Sequence, residues 1–400
     1  MLTPMTSAPK VCLIGTGGYG RIHLEHVLNF HRLGEIRFAA AVCLPPDIDE
    51  DLSRQLRELG CEIFFDFESL LAALPRLQLS LAIAPTPIHL HARMTTALLA
   101  AGVNVLIEKP LCATLSDAEK ICALTAATNL TVAVGFQYLH APEVRALKRR
   151  LLAGEIGRVK RIVVHGAWPR SHAYYSRNSW AGRLRVGQES VLDSPVNNAM
   201  SHFFMLMLFL AGTEEDTAAR PIRMSAELYR AQRIESFDTA TVSLETAAGC
   251  RLDFYGTHSS REISRPTLLI EGTGGRAEWA QDDHATLQGS ESHWHVHSAP
   301  ESDTRERMFR DVLARVRGEP AFICTPQLAM LHVQCVAALH EHFPIITVPE
   351  TFLATEQREE NVFTFVPQLD GALASAASRA SNLFDAGAPW AIPAKSVNLS

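Results

Sequence analysis

The sequence lacks a long hydrophobic run, a cysteine pair and a recognisable leader, and each absence excludes a class of protein. The longest apolar stretch, residues 203–212, is about half as long as a membrane-spanning helix must be, which favours a core helix and no membrane partner. The eight cysteines form no C-x-x-C pair, which argues against a disulfide framework and favours a reducing compartment. Residues 1–10 show no charged segment followed by an apolar one, so we expect no signal peptide and a cytoplasmic location.

Neither a nucleic acid nor a metal is an expected partner. The formal net charge is −6, and the strongest basic run, residues 148–150, is predicted to be the solvated face of one helix. Histidines alternate at 293, 295 and 297 and again at 340 and 342. On a strand the outer two of the first group would lie roughly 13 Å apart, and no further ligand stands at a familiar zinc spacing. We therefore predict no metal site.

The length and composition are typical of two globular domains, with 400 residues, 47% hydrophobic and 20% charged. In the first third, short apolar strands alternate with helices, a pattern that predicts an α/β, doubly wound parallel sheet over residues 1–140. Residues 141–400 contain successive strands without intervening helices, which predicts an α+β domain with a mostly antiparallel sheet. Two helix starts follow from capping patterns: Thr86 before a helix opening at Pro87, and a capping box of Ser116 and Glu119.

A glycine loop follows the first apolar strand directly. Gly15, Gly17 and Gly20 fit G-x-G-x-x-G, and a helical stretch comes next. The first glycine permits a tight turn, the second lets the backbone approach a pyrophosphate, and the third lets helix and strand pack closely. The strand–loop–helix context predicts a dinucleotide site that also includes Gly18 and Tyr19, whereas the plain alternative is a structural turn without a ligand.

The acid that commonly binds the cofactor's ribose is not at its expected place. An Asp or Glu is expected about 20 residues after the loop. The second strand ends at residues 42–46, and the nearest acid, Asp47, comes late. No arginine stands there to accept a 2′-phosphate either, so the choice between NAD and NADP stays open.

Several further strings resemble the Gfo/Idh/MocA oxidoreductases, the family of glucose–fructose oxidoreductase and inositol dehydrogenase. The resemblance covers roughly residues 11–350, and it is carried by Ala-Pro-Thr-Pro-Ile-His at 84–89, Glu-Lys-Pro at 108–110, Gly-Phe-Gln at 135–137, Gly-Glu-Ile-Gly at 154–157 and Ile-Glu-Gly-Thr-Gly-Gly at 270–275. It implies an N-terminal Rossmann domain and a second domain with a large open sheet. It also implies a nicotinamide cofactor, a sugar-like or cyclitol substrate, and a homodimer or homotetramer. The cofactor site would then include Thr86, Pro87, His89, Glu108 and Lys109.

The chemistry of such an enzyme needs an acid/base group beside the reacting carbon, because a hydroxyl proton leaves as hydride leaves. The resemblance makes Lys109 of the Glu-Lys-Pro string a catalytic and substrate-binding residue; the alternative is a surface lysine paired with Glu108. It also implies a catalytic histidine ten residues before a glycine, a spacing that His202 and Gly212 keep. The alternative for His202 is an ordinary core histidine.

One departure from the family pattern concerns the residue four positions before that histidine, which is commonly Asp and here is Asn198. An amide can orient a hydroxyl but cannot relay a proton. Either Lys109 and His202 act without a carboxylate, or the substrate differs, or activity is weak. Asp193 could supply a carboxylate, but only from a different turn of the chain.

The segment 168–180 is dense in aromatic and hydrogen-bonding residues and suits a sugar or cyclitol, while Arg170 or Arg177 would suit a carboxylated sugar. An equal alternative is a packed loop or a subunit contact. The predicted substrate residues are Lys109, Gln137, Trp168, Arg170, Tyr175, Arg177, Asn178, Asn198 and His202.

Three functions follow from these residues. The first is an NAD(P)-dependent dehydrogenase or reductase of a sugar, sugar acid or cyclitol. The second is a glycoside hydrolase or lyase that uses NAD as a resident redox catalyst. The third is a non-catalytic sensor that binds NAD(P), which the Asn198 departure motivates.

Overall fold

The computed structural model describes residues 8–399, which divide into two compact units. The first unit contains residues 8–135 and Glu306–Gln327, and the second contains Phe136–Arg305 and residues 328–399. Sequence patterns alone assign everything after residue 140 to one domain, whereas the structure returns a 22-residue segment to the first unit.

The first unit is a six-stranded parallel sheet with helices between the strands. Its strand order is β3-β2-β1-β4-β5-β6, the order of a doubly wound sheet, as predicted. The elements are β1 (Lys10–Ile14), α1 (Gly20–Arg32), β2 (Arg37–Val42), α2 (Glu50–Glu58), β3 (Glu62–Phe64), α3 (Phe67–Leu77), β4 (Leu81–Ala84), α4 (His91–Ala100), β5 (Asn104–Ile107), α5 (Leu115–Thr128) and β6 (Val132–Val134).

The second unit is built on a ten-stranded, mostly antiparallel sheet, which confirms the predicted fold class. The strand order is β16-β15-β14-β13-β7-β12-β11-β10-β17, and β20 also pairs with β10. Its elements, together with the helices that begin or end in it, are α6 (Pro142–Leu152), β7 (Val159–Ala167), α7 (His172–Ser176), β8 (Arg185–Val186), β9 (Glu189–Ser190), α8 (Ser201–Leu210), β10 (Pro221–Arg230), β11 (Thr239–Thr246), β12 (Arg251–Thr257), β13 (Ser264–Gly272), β14 (Gly275–Ala280), β15 (His284–Gly289), β16 (His293–His297), α9 (Glu301–Val316), α10 (Pro326–His342), β17 (Ile345–Thr347), β18 (Ala354–Arg358), β19 (Asn361–Phe365), α11 (Leu369–Arg379) and β20 (Lys395–Asn398).

Packing explains why most of α9 belongs to the first unit. Met308, Phe309 and Val312 lie in the same buried apolar cluster as Val11 of β1 and Phe30 of α1. These apolar residues recur at helical spacing, so one face of α9 covers the parallel sheet's core.

Two helices cover opposite faces of the large sheet. Phe204 of α8 packs against Phe254 of β12, with ring centroids 5.4 Å apart. The next residue of β12, Tyr255, points to the other face and donates its hydroxyl to the carbonyl of Ser381, just after α11, at 2.7 Å. The side chains of β12 therefore alternate between the face packed against α8 and the face packed against α11, and both faces of this part of the sheet are buried.

The two predicted helix caps are wrong. Pro87 is extended (φ −60°, ψ 144°), so the chain makes a short 3-10 turn over Ile88–Leu90 and α4 begins only at His91, without a side-chain cap. Helix α5 begins earlier than predicted, because Thr114 is the extended residue and its hydroxyl accepts the Asp117 N–H at 3.2 Å. Both errors place the change from extended to helical backbone at the wrong residue.

Helix α8 is the apolar stretch of the sequence, and all ten of its residues are buried. This confirms the predicted core helix. In the part of the chain from 8 to 399, no helix is both long and apolar enough to cross a membrane.

The C-terminal end of α8 is held by a buried lysine, which corrects the expectation of a solvated basic face at 148–150. Lys148 of α6 is 0% exposed, and its ammonium donates to the carbonyls of Phe209 at 2.6 Å and Gly212 at 2.5 Å. Of this run, Arg149 is exposed and Arg150 is half-buried. Lys148 is buried because helix carbonyls at a C-terminus lack intrahelical donors, and an ammonium can supply them. Burial lowers the pKa of Lys148 to about 7.

We expect the stability of the protein to depend on pH through Lys148. An unfolded lysine keeps its proton up to its ordinary pKa of 10.5. Between the two pKa values the unfolded chain therefore holds more protons, and the free energy of unfolding should rise with pH by up to about 1.4 kcal/mol per pH unit. Urea unfolding from about pH 6 to about pH 9 should show this slope in the wild type and not in Lys148→Met.

Arg149→Met, at an exposed position of the same helix, is the matched control and should keep the wild-type slope. Equal slopes in the wild type and Lys148→Met would contradict the assignment.

Candidate active site

The glycine loop forms a close turn between β1 and α1. Gly15 has φ +99° and Gly18 has φ +52°, values that favour glycine. A Cβ on Gly20 would lie 2.3 Å from the carbonyl oxygen of Gly15, so only glycine lets α1 start this close to the strand. The loop therefore has the backbone that a pyrophosphate cradle requires.

Asp47 lies against the second glycine of the loop. A Cβ on Gly17 would be 2.0 Å from Asp47 Oδ1, so the carboxylate touches this backbone. Asp47 ends the short 3-10 turn Pro45–Asp47 that follows β2. Tertiary folding thus brings an acid to the loop although its place in the sequence is late. Two apolar side chains that follow β2 and β3, Leu44 and Phe65, are 53% and 56% exposed.

The loops after β4 and β5 are tied together beside the glycine loop. A Cβ on Gly15 would lie 3.9 Å from Thr86 Cγ2, which places the β4 loop at the point where strand order reverses. His91, fully buried, has Nε2 at 2.7 Å from the Thr86 carbonyl and Nδ1 at 2.7 Å from the Pro110 carbonyl. Pro87 and His89 lie between Thr86 and His91 in the same turn.

Glu108 acts as an internal clamp at the end of β5. Its Oε1 lies 2.8 Å from His23 Nε2 of α1, and its Oε2 accepts the backbone N–H of Lys109 at 3.1 Å. Burial by itself would raise the pKa of Glu108, but the hydrogen bond from His23 and the charges of His23 and Lys109 outweigh it and leave the pKa below its usual value. A Cβ on Gly135 would approach Oε1 to 2.7 Å, so this site needs glycine. The charged carboxylate thereby orients the backbone that carries Lys109.

His202 is the second residue of α8 in the other unit and is 9% exposed. Its ring meets those of Phe136 and Tyr138 edge to face, with centroids 5.9 and 5.5 Å away. The two aromatic rings fix the plane of the imidazole, and Lys148 fixes the far end of the helix that carries it.

The structure brings a carboxylate to Asn198. Asp193 Oδ1 accepts the Asn198 amide N–H at 2.8 Å, and its Oδ2 accepts the Gly182 N–H at 2.6 Å. The buried amide of Asn197 donates to the carbonyl of Leu192 at 3.2 Å, and Leu192 has φ +52°. The sequence left this pairing as the lesser possibility, because the two residues come from different turns.

A narrow cleft of the second unit collects part of the predicted substrate set. Tyr175 and Asn198 line it, with Asp193, Tyr174 and His258. The remaining lining residues are Ser194, Pro195, Ile234 and Phe237.

Two further predicted residues, Arg170 and Arg177, lie against Tyr174 of this cleft, and a third, Trp168, lies against Arg170. The guanidinium carbon of Arg170 lies 4.6 Å from the Tyr174 ring centroid and 5.7 Å from that of Trp168. Arg177 lies 3.5 Å from the Tyr174 centroid. The edge of the cleft is therefore aromatic and positively charged.

Two predicted substrate residues make contacts within the protein. Gln137 is 1% exposed and donates to Glu301 at 3.1 Å. Asn178 Oδ1 accepts the N–H groups of Trp180 and Ala181 at 3.1 and 2.8 Å and so shapes its own turn.

Sequence reasoning missed His258, which follows β12 and is 4% exposed. Its Nδ1 lies 2.9 Å from the Trp168 carbonyl. Burial, with the nearby charge of Arg170, lowers the pKa of His258 to about 3, so the ring is neutral. No local pattern marks this histidine, because its position depends on the pairing of β12 with β7.

No group of three or more His, Cys, Asp or Glu side chains in residues 8–399 is arranged to hold a metal ion. His293, His295 and His297 lie on the exposed face of β16.

Both units match models of one protein family. Residues 9–136 match "Oxidoreductase family, NAD-binding Rossmann fold", and residues 144–278 match "GFO/IDH/MocA C-terminal domain"; together they cover more than half of the chain. Inositol 2-dehydrogenase of Pseudomonas savastanoi pv. phaseolicola is 29% identical over 252 residues, which are 62% of this chain and 66% of that protein. The chain thus spans slightly less than two thirds of that relative's length.

Solved structures show the same fold at low identity. The WlbA dehydrogenase of Chromobacterium violaceum, in complex with NADH and UDP-GlcNAcA, is 19% identical with a TM-score of 0.68, covering 85% of this chain and 96% of that one. Levoglucosan dehydrogenase, in complex with NADH and L-sorbose, is 17% identical with a TM-score of 0.71, covering 84% and 96%.

Glu108→Gln should destabilise the protein by about 1–3 kcal/mol near neutral pH, because it removes the charge from a buried, hydrogen-bonded pair without changing its shape. The pKa of Glu108 is lowered in the folded state, so the wild-type advantage exists above the ordinary glutamate pKa and is lost as pH falls through the folded value. Urea unfolding across acidic and neutral pH measures this difference.

Glu68→Gln, at an exposed carboxylate paired with Arg93, is the control and should change stability little. If Glu108→Gln matches the wild type at neutral pH, Glu108 is not a clamp.

Proposed function

Because the chain belongs to the Gfo/Idh/MocA family of oxidoreductases, we propose that it transfers hydride between a nicotinamide cofactor and a hydroxyl or carbonyl group of a sugar, sugar acid or cyclitol. The observation that carries the proposal is the clamped Glu108–Lys109 backbone beside a glycine loop at the sheet's switch point. The names of the relatives, inositol 2-dehydrogenase and levoglucosan dehydrogenase, support a polyhydroxylated substrate.

The first unit supplies the cofactor residues of this proposal. The backbone of Gly15, Gly17, Gly18, Tyr19 and Gly20 would hold the pyrophosphate, since Gly15 and Gly18 have positive φ and a Cβ on Gly20 would collide with the Gly15 carbonyl oxygen. Thr86, Pro87 and His89 would border the cofactor from the β4 loop. The bound nicotinamide supplies the hydride acceptor or donor. Glu108 acts indirectly, by holding the Lys109 backbone.

Lys109 and His202 are the proposed acid/base residues. Lys109 would accept the hydroxyl proton in the oxidation and return it in the reduction. His202 of the second unit is proposed as a further proton-transfer group. Asn198 donates its N–H to Asp193, which orients the amide oxygen as an acceptor for a substrate hydroxyl. The Asp193–Asn198 pair thus supplies a nearby carboxylate where the family commonly has Asp, and this favours an enzyme over a sensor.

We also propose a homo-oligomer in a reducing, cytoplasmic compartment. All eight cysteines are unbridged thiols, and seven are buried. Helix α11 covers one face of the large sheet at β7 and β12, so association would use the part of the sheet nearer β13, where Leu269 is 45% exposed.

Lys109→Met and His202→Asn should each lower kcat by about 10²- to 10⁴-fold, because each removes a proton-transfer group. Purified protein is assayed with NAD and NADP against a panel of sugars, sugar acids and cyclitols, and NADH binding is measured by calorimetry to show that the cofactor site is intact. Lys120→Met, an exposed lysine paired with Asp117 in the same unit, is the control and should keep full turnover.

Full turnover by Lys109→Met would refute the mechanism. A product formed without net cofactor reduction would instead identify a hydrolase or lyase that uses NAD as a resident redox catalyst. Cofactor binding with no turnover on any panel member would identify a sensor.

Asp47 should make the enzyme prefer NAD to NADP, because a carboxylate at Gly17 can accept hydrogen bonds from ribose hydroxyls and repels a 2′-phosphate. Asp47→Asn should weaken NADH binding about tenfold and narrow its advantage over NADPH. Calorimetric titration with both cofactors measures the ratio. Asp51→Asn, at an exposed carboxylate of α2, should leave the ratio unchanged. Tighter binding of NADPH than NADH by the wild type would contradict this role for Asp47.

A further inference from the structure

Two arginines rest on one tyrosine at the cleft of the second unit. The guanidinium carbons of Arg170 and Arg177 lie 4.6 and 3.5 Å from the centroid of the Tyr174 ring. Arg177 also donates to the Tyr174 carbonyl. The aromatic face and the carbonyl hold both positive charges at the cleft that contains Asn198.

Neither charge is neutralised within residues 8–399, where no carboxylate lies at ion-pair distance from Arg170 or Arg177. By contrast, Arg183, six residues after Arg177, forms an ion pair with Glu235 at 2.6 Å. Arg170 also has a buried Nε without a hydrogen-bond partner among the described residues. The Tyr175 hydroxyl in the cleft is likewise buried and has no hydrogen-bond partner among these residues. A buried guanidinium donor left unpaired is costly unless a ligand satisfies it.

No polar group of the cleft in residues 8–399 forms an ion pair with either arginine. His258 has a lowered pKa of about 3 and is neutral, and its Nδ1 faces the Trp168 carbonyl. Asp193, the acid of the cleft, uses both carboxylate oxygens on Asn198 and Gly182. The cleft therefore has donor groups and positive charge at Tyr174 and acceptor groups at Asp193 and Asn198.

We propose that the substrate carries an anionic group, a carboxylate or a phosphate, that Arg170 and Arg177 bind while its reacting hydroxyl is presented from the Asn198 side of the cleft. This inference rests on the proposed function and narrows it from polyhydroxylated compounds in general to sugar acids and sugar phosphates. The guanidinium fork matches either anion through paired N–H donors, which a neutral sugar cannot use as well.

The test measures binding to the enzyme–NADH complex by calorimetry. The probes are uronic acids, aldonic acids and sugar phosphates, each compared with its neutral parent sugar. The wild type should bind the charged member of at least one pair about ten- to a hundredfold more tightly, the range expected for a charged hydrogen-bonded pair. Preference for the carboxylate series or for the phosphate series distinguishes the two anions.

Arg170→Gln and Arg177→Gln should each remove most of this preference, measured as the ratio of charged-sugar to neutral-sugar affinity. Arg170→Lys, which keeps the charge but not the fork, should retain part of it. Arg183→Gln is the matched control and should behave as the wild type, since Arg183 is already paired with Glu235. Thermal unfolding of each variant checks that the loop still folds.

No preference for the charged member of any pair, or an unchanged preference in both glutamine variants, would overturn the inference. Turnover of neutral sugars by the wild type, with no preference for any charged counterpart, would leave the proposed function standing and remove only this inference. Selective anion binding without hydride transfer on any probe would leave this inference standing and remove the proposed function.

Discussion

The buried carboxylate of Glu108 is the constraint on which the first unit's site depends. One oxygen is held by His23 from α1 and the other holds the backbone of Lys109. A charge taken out of water is tolerated only when its hydrogen bonds are complete, so α1, β5 and the Lys109 loop must keep their relative positions. Since α1 also begins at the glycine loop, the same pair couples the cofactor cradle to the amine proposed to act beside it.

In the second unit, side-chain contacts hold helix α8 at its C-terminal end and near its start. Lys148 satisfies the terminal carbonyls of α8, and the Asp193–Asn198 contact lies just before the helix begins. His202 is therefore carried on an element with little freedom to shift, and Phe136 and Tyr138 hold its ring plane. Rigid support of this kind suits the proton-transfer role proposed for His202, because small displacements cost catalytic efficiency.

Motifs with a local physical cause could be read from the sequence. The glycine loop is local, because tight turns and close helix packing are demands on neighbouring residues. Strand–helix alternation and the buried α8 are also local, since they follow from periodicity and run length. Helix α2 was not recognised, because only Leu56 of its nine residues is buried and its start depends on the Asp49 cap. The starts of α4 and α5 were misplaced because the sequence does not show which residue is the last extended one before each helix.

The sequence by itself determined the fold class and the glycine loop, and its resemblance to the family named Lys109 and His202 as candidates. Only the tertiary structure decided which side chains accompany them. Asp47 reaches Gly17 through a turn after β2, Asp193 reaches Asn198 across separate turns, and His258 reaches Trp168 through the pairing of β12 with β7. These contacts join residues whose local patterns are unremarkable, because burial and hydrogen-bond pairing are set by the packing of distant segments.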